Sequence, residues 1–292
     1  LDLFDALFSS QDSLRFIGGR LELGCGFMAD GYARATGKPG VLITSTGPGA
    51  ADSMGAVGEA YFSGSPLLEI TTNVEREFLG EGRLATHETK DQLKMFESVT
   101  DWNAMINQVE SIPDHLMEAF QRFQTRRPRP IELEIPTDLL AERADVEVLG
   151  SRVPDVPQGD PNMVEQALQL LLKAKRPVIH AGQGVMYAEA PDDLEELAEL
   201  LQAPVMTTLP GKSAFPENHP LALGASAVST TKQIHHFLQE ADVVYGVGCS
   251  FTRTSYGKTI PPGKVMIHST NSPADVNKDY KTDYGMIGDA KL

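Results

Sequence analysis

Positive charge is scarce in this chain: 25 Lys and Arg stand against 40 Asp and Glu among 292 residues, a formal net charge of −15. A surface this acidic does not bind nucleic acid or an anionic membrane through a broad electrostatic face. It leaves room for a local basic pocket that takes a phosphate or carboxylate. Cysteine is nearly absent. Cys25 and Cys249 are far apart and form neither a CxxC pair nor a disulfide framework. That usage points to a reducing, cytoplasmic setting and to thiols that serve as small buried hydrophobes. No run of about 20 apolar residues occurs, so no membrane-spanning helix is expected, and no signal peptide is visible. The chain opens at Leu1 without Met, inside an amphipathic segment over residues 1–8. It reads as a fragment, a processed chain, or one whose start lies elsewhere.

What is present is an alternation of short apolar runs with helical periods. Residues 14–17, 40–44, 66–71 and 130–136 read as strands, and 22–35, 51–61 and 112–123 as helices. In the last helix Ile112, Leu116, Ala119, Phe120 and Phe123 share one face. A stretch rich in Pro, Asp and Val follows, containing Pro154, Pro157 and Pro161, and reads as a linker over 142–161. The rhythm then restarts, with helices at 163–173, 192–201 and 231–240 and strands at 177–181, 204–208, 242–248 and 264–268. The expectation is an α/β protein of two Rossmann-like domains with mainly parallel sheets, over residues 1–141 and 162–292. There is no internal repeat.

One carboxylate stands out. Glu22 lies between Leu21 and Leu23, followed by Gly24, Cys25 and Gly26, at the start of a helical run. Taken alone it reads as a surface Glu favoured by the helix dipole. The residues that follow, Ala29-Asp30-Gly31-Tyr32-Ala33-Arg34-Ala35-Thr36-Gly37-Lys38, change that reading. The run resembles the N-terminal pyrimidine-binding domain of thiamine-diphosphate enzymes of the acetolactate synthase group. The resemblance extends to Thr44-Ser45-Thr46-Gly47-Pro48-Gly49-Ala50 and to the ending Arg129-Pro130-Ile131-Glu132-Leu133-Glu134-Ile135-Pro136. It implies that Glu22 is the carboxylic acid that hydrogen-bonds the cofactor's aminopyrimidine, a role requiring a protonatable group in an apolar pocket. It also implies that Thr46, Gly47, Pro48 and Gly49 form the loop beside that ring, with Gln92 nearby. Where acetolactate synthases carry Phe-Gln-Glu, this chain has Thr86-His87-Glu88. His87 is then an acid/base candidate on the substrate side, the alternative being a solvated loop histidine. Asp52 stands where the family has Asn, and Leu21 where many relatives have a polar residue.

The second half resembles the family's central domain, through Arg176-Pro177-Val178-Ile179-His180-Ala181-Gly182-Gln183-Gly184 and the ending Ile287-Gly288-Asp289-Ala290. In that family the domain holds FAD, ADP or nothing. Gly182, Gly184, Gly248, Phe251 and Arg253 are the possible nucleotide contacts. The family's acidic strand end for a ribose reads His268-Ser269-Thr270-Asn271 here. No Gly-Asp-Gly run with a downstream Asn, the family's Mg2+ and diphosphate anchor, occurs in these 292 residues. No metal ligands are therefore assigned, and the chain by itself is not expected to hold thiamine diphosphate well. The resemblance implies a homodimer or homotetramer acting on a 2-oxo acid, by decarboxylation with carboligation. Simple decarboxylation or C–C cleavage is the alternative within the family. A non-catalytic nucleotide-binding or interaction module is the alternative outside it.

Overall fold

The computed structural model describes residues 2–147 and 155–292. Leu1 and part of the expected linker, residues 148–154, lie outside the described residues. Two compact units are present, each built on its own sheet. Among the described residues one comprises 2–124 and 128–147, the other Thr125–Arg127 with Asp155–Leu292. No helix among the described residues is long and apolar enough to cross a membrane.

The first unit runs α1 (Asp2–Ser9), α2 (Glu22–Thr36), β1 (Gly40–Thr44), α3 (Pro48–Ser63), β2 (Leu67–Asn73), α4 (Gln92–Phe96), β3 (Trp102–Met105), α5 (Ile112–Thr125) and β4 (Ile131–Pro136). Its sheet has the order β1-β2-β4-β3, every pair parallel. Such a sheet is covered on both faces. Leu68, Ile131, Leu133 and Ile135 pack against Ala119 and Phe123 of α5. On the other face Leu42 and Leu67 pack with Ala29 of α2 and Ala50, Val57 and Ala60 of α3. The helices α2 and α3 meet through small residues: a Cβ on Gly26 would stand 2.5 Å from the Cβ of Ala56. Gly37, at φ 69°, closes α2 by donating its N–H to Ala33 O.

Three expectations change here. Residues 14–17 form no strand; Leu14, Phe16 and Ile17 are exposed and β1 pairs only with β2. An apolar run without a neighbouring strand has nothing to bond its backbone to. Phe120 is 38% exposed, its ring edge-on to Phe123 at 6.2 Å, so the buried stripe of α5 is narrower than the periodicity suggests. The short edge strand β3 was not anticipated, since four half-buried residues carry little periodic signal.

The second unit runs α6 (Pro161–Lys173), β5 (Pro177–Ala181), α7 (Gly184–Tyr187), α8 (Pro191–Leu201), β6 (Val205–Thr207), β7 (Ala222–Ala225), α9 (Lys232–Glu240), β8 (Val243–Val247), β9 (Val265–Thr270) and β10 (Tyr284–Ile287). The sheet order is β10-β9-β8-β5-β6-β7, all parallel. The direction of winding reverses between β5 and β8. In open α/β sheets that point, outside the carboxyl ends of the strands, is where ligands sit. The edge strands β7 and β10 were also not anticipated.

Candidate cofactor site

In the first unit β1 ends at Thr44, the chain turns, and α3 begins with Pro48 in its first turn, where a missing N–H costs nothing. Gly47 sits at φ 63°, a conformation open to glycine. A Cβ there would lie 2.0 Å from the His87 carbonyl oxygen. Its N–H donates to Gln92 Oε1 at 2.7 Å. Thr46 Oγ1 lies 2.9 Å from Thr72 Oγ1. The turn is thus fixed from three sides by residues distant in sequence.

Glu22 meets this turn from α2. It is half-buried at the first position of that helix, where the helix N-terminus favours a carboxylate. A Cβ on Gly49 would stand 3.3 Å from Glu22 Oε1 and 2.4 Å from Ser45 Oγ. Glycine therefore leaves the space between the carboxyl and the turn clear. The neighbouring Leu23 N–H donates to Asp52 Oδ2 at 3.5 Å, so Asp52 supports the start of α2. Among the described residues no hydrogen bond or ion pair engages the Glu22 carboxylate itself. A carboxyl without a partner, beside a turn that carries glycine at positions 47 and 49, fits a flat, nitrogen-bearing ring. Glu22, Thr46, Gly47 and Gly49 are thus brought together. Pro48 is exposed at the helix start, and His87 is exposed at φ 67°, with its carbonyl and its Cβ against Gly47. Gln92 departs from the expected direct cofactor contact. It is 1% exposed, its Oε1 taken by Gly47 and its Nε2 donating to Thr72 O at 2.9 Å and Thr71 Oγ1 at 3.1 Å.

Beneath the turn lies a polar layer that sequence reasoning missed. Glu69 on β2 and Glu132 and Glu134 on β4 are fully buried. Glu69 and Glu132 are register partners, as are Thr71 and Glu134. Glu69 Oε1 accepts from Ser53 Oγ at 2.6 Å and Thr44 Oγ1 at 2.9 Å, while Glu132 accepts from Thr71 and Glu134 from Asn73 Nδ2 at 2.7 Å. The second oxygens of Glu69 and Glu132 have no hydrogen-bond partner, while Glu134 also faces the Gln92 carboxamide. Burial pushes all three pKa values up, that of Glu69 to about 7 against the hydrogen bonds from Ser53 and Thr44. The only available signal was the alternation of Glu132 and Glu134 with Ile131, Leu133 and Ile135. That pattern reads as a strand with one wet face, whereas every residue of β4 is buried.

In the second unit the glycine loops at the reversal point close on each other. Gly182 N donates to Val247 O and Gly184 N to Gly248 O, both at 2.9 Å. A Cβ on Gly182 would lie 2.2 Å from Gly248 O, and one on Gly248, at φ 59°, 2.6 Å from Val185 N. These glycines are needed for loop packing, so they are no independent mark of a nucleotide. Phe251 is 5% exposed inside the core, its ring over Gly246 and 4.6 Å from that of His268. It is a packing residue, contrary to the expected nucleotide contact. Arg253 is exposed, its N–H donating to Asp279 Oδ2 at 2.8 Å. At the β9 end the buried Asp275 is paired with Arg127 and is not available to a ribose. Arg129 lies over Tyr61 at 4.4 Å and donates to its hydroxyl.

Among the described residues Glu195, Glu199 and His219 alone cluster closely enough to bind a metal. Leu221 N–H donates to His219 Nδ1 at 3.2 Å, so the neutral ring carries its proton on Nε2, facing Glu199 Oε1 at 3.2 Å.

Comparison with known proteins places the chain in a family. The description "Thiamine pyrophosphate enzyme, N-terminal TPP binding domain" matches residues 1–95, and "Thiamine pyrophosphate enzyme, central domain" matches residues 164–292. The chain belongs to the thiamine pyrophosphate enzyme family and carries these two of its domains. Within that family it is similar to the probable acetolactate synthase large subunit of Methanocaldococcus jannaschii, 35% identical over all of this chain and 50% of that protein. It is also similar to the probable 2-ketoarginine decarboxylase of Pseudomonas aeruginosa, 34% identical over all of this chain and 52% of that protein. The structure of a candidate thiamin diphosphate-dependent enzyme from Mycobacterium smegmatis superposes with a TM-score of 0.77 at 26% identity, covering 93% of this chain and 52% of that one. The chain spans about half the length of the curated relatives it matches.

Proposed function

We propose that the native protein is an acetolactate-synthase-like enzyme that decarboxylates a 2-oxo acid such as pyruvate and joins the remaining fragment to a second carbonyl. The observation that carries this reading is the Glu22 carboxyl, without a hydrogen-bond partner among the described residues, facing Gly49 of the Gly47-Pro48-Gly49 turn. Bound thiamine diphosphate supplies the nucleophilic carbon and the electron sink that protein side chains lack. Glu22 presents its carboxyl to the aminopyrimidine nitrogen. Thr46, Gly47 and Gly49 shape the wall beside that ring, and His87 stands on the substrate side. The diphosphate would need Mg2+ for charge neutralisation, for which no ligand is assigned in this chain, and a homodimer or homotetramer in the cytoplasm is the working form. We assign residues 1–141 to pyrimidine binding and 162–292 to the central domain. The closed loops of the second unit and the buried Phe251 favour a scaffold role over FAD or ADP binding. Purified protein without flavin absorbance supports that reading, and stoichiometric flavin overturns it.

A simple decarboxylase is the second reading. His87 and the similarity to a 2-ketoarginine decarboxylase favour it. Product analysis of the native protein with pyruvate separates the two: coupled product marks the synthase, free aldehyde the decarboxylase. Glu22→Gln is expected to lower cofactor-dependent turnover by roughly 100-fold or more, the scale of a lost acid/base group. Unchanged turnover would remove Glu22 from the site.

A further inference from the structure

Gln92 has a geometry unlike that of a ligand-binding side chain. It is 1% exposed, yet it opens α4, a short helix that follows the exposed loop carrying His87. Its carboxamide is fully used. The oxygen accepts from Gly47 N–H at 2.7 Å, and the nitrogen donates to Thr72 O at 2.9 Å and Thr71 Oγ1 at 3.1 Å. A single side chain therefore ties the turn after β1 to the end of β2. Gly47 is the point where the tie matters. Its N–H is a buried donor at a positive φ, and left alone it would be an unsatisfied group. From the other side the His87 carbonyl presses so close that a Cβ could not fit. Two residues on, Gly49 faces Glu22 Oε1. The position of the turn relative to Glu22 is thus set through the Gly47 N–H.

The chain Thr71–Gln92–Gly47 continues downward, because Thr71 Oγ1 is also bonded to Glu132 on β4. Three secondary-structure elements, β2, β4 and α4, converge on one backbone amide. A cofactor wall held within a fraction of an ångström needs such support from beneath.

We infer that Gln92 is a positioning residue, which fixes the Gly47 amide and so holds the turn in register with Glu22. It touches no cofactor atom and acts through Gly47. This rests on the proposed reading only in taking the turn as the wall of the cofactor site.

The test uses amide hydrogen exchange on this chain, reading the Gly47 amide against core amides of α3 such as those of Val57 and Ala60. Gln92→Met keeps the volume and removes both hydrogen-bonding functions. It is expected to raise Gly47 exchange at least tenfold while the α3 amides keep their protection. Gln92→Glu, carried neutral in this buried layer, keeps an oxygen acceptor for Gly47 and is expected to retain most of the protection. Its thermal stability should nonetheless be lower than that of Gln92→Met, because keeping a carboxyl at this depth carries a desolvation cost that a thioether does not. A merely structural role would make protection follow stability, and that result would overturn the inference. So would unchanged Gly47 exchange in Gln92→Met. The wider reading is tested separately by thiamine diphosphate affinity of the native protein. If Gln92→Met opens the Gly47 amide and leaves affinity unchanged, positioning of the turn stands and its place in the cofactor site falls.

Discussion

At the scale of single residues, the first unit stores its most unusual chemistry in Glu69. The carboxyl is fully buried, with Ser53 and Thr44 donating to one oxygen and no hydrogen-bond partner for the other. Desolvation lifts its pKa from 4.5 to about 7. A folded-state pKa above the unfolded one means that the native state holds the proton more tightly. The associated stability is complete below about pH 4.5 and is lost as the pH rises towards and through about 7. The loss is at most roughly 3 kcal/mol. Glu69→Gln keeps an acceptor for Ser53 and Thr44 and cannot ionise. Thermal melts from pH 5 to 8 should show the variant's midpoint declining less steeply than the parent's, because Glu132 and Glu134 still titrate, with the variant the more stable at pH 8. A parallel decline in both proteins would place the titration elsewhere.

At the scale of elements, α2 illustrates how one residue type takes opposite signs within a single helix. Gly26 lies against α3, where an added methyl would stand 2.5 Å from the Ala56 Cβ, while Gly31 has nothing within 4 Å. Replacing a mid-helix glycine by alanine is worth about 1 kcal/mol in helix propensity. Gly31→Ala should therefore raise the unfolding free energy by roughly that amount. At Gly26 overpacking of about 1–3 kcal/mol outweighs the gain, so Gly26→Ala should lower it. Denaturant titration of the pair checks both signs. Equal effects would mean that α2 and α3 are not locked at this point. Much of α2 could be read in advance: the helix from Glu22, its stop at Gly37, and the family pattern between them. The face it buries could not, because Gly26 and Gly31 look alike until α3 is in place.

At the scale of the whole molecule, the two units respond to pH in opposite directions. The first carries three buried carboxyls with raised pKa values. The second carries His180 and His268, whose burial lowers their pKa values, that of His180 to about 4. A base with a depressed pKa stays neutral when folded. Its stability contribution is complete above about pH 6.5 and is lost as the pH falls towards 4. Raising the pH from 5 to 8 should therefore weaken the β2 and β4 amides and strengthen those of β5 and β9. Hydrogen exchange corrected for its intrinsic pH dependence reads both trends in one experiment. A common shift across the two sheets would mean that the units unfold as one.

The sequence by itself determined the α/β rhythm, both parallel sheets, the helix that begins at Glu22 and the glycine turn after β1. These follow from local periodicity, from punctuation by Gly and Pro, and from a motif carried by neighbouring residues. Only the tertiary structure decided what lies beneath that turn. Gln92 becomes a brace and Glu132 a buried partner because β2 and β4 pair in parallel, bringing Thr71 and Glu132 together across 61 residues of chain. In the same way Gly182 and Gly248 pack on each other, and Phe251 turns inward, because β5 and β8 are neighbours in the second sheet. Whether a polar or apolar side chain is spent on packing or left for a ligand depends on which strands lie side by side, and no local pattern encodes that.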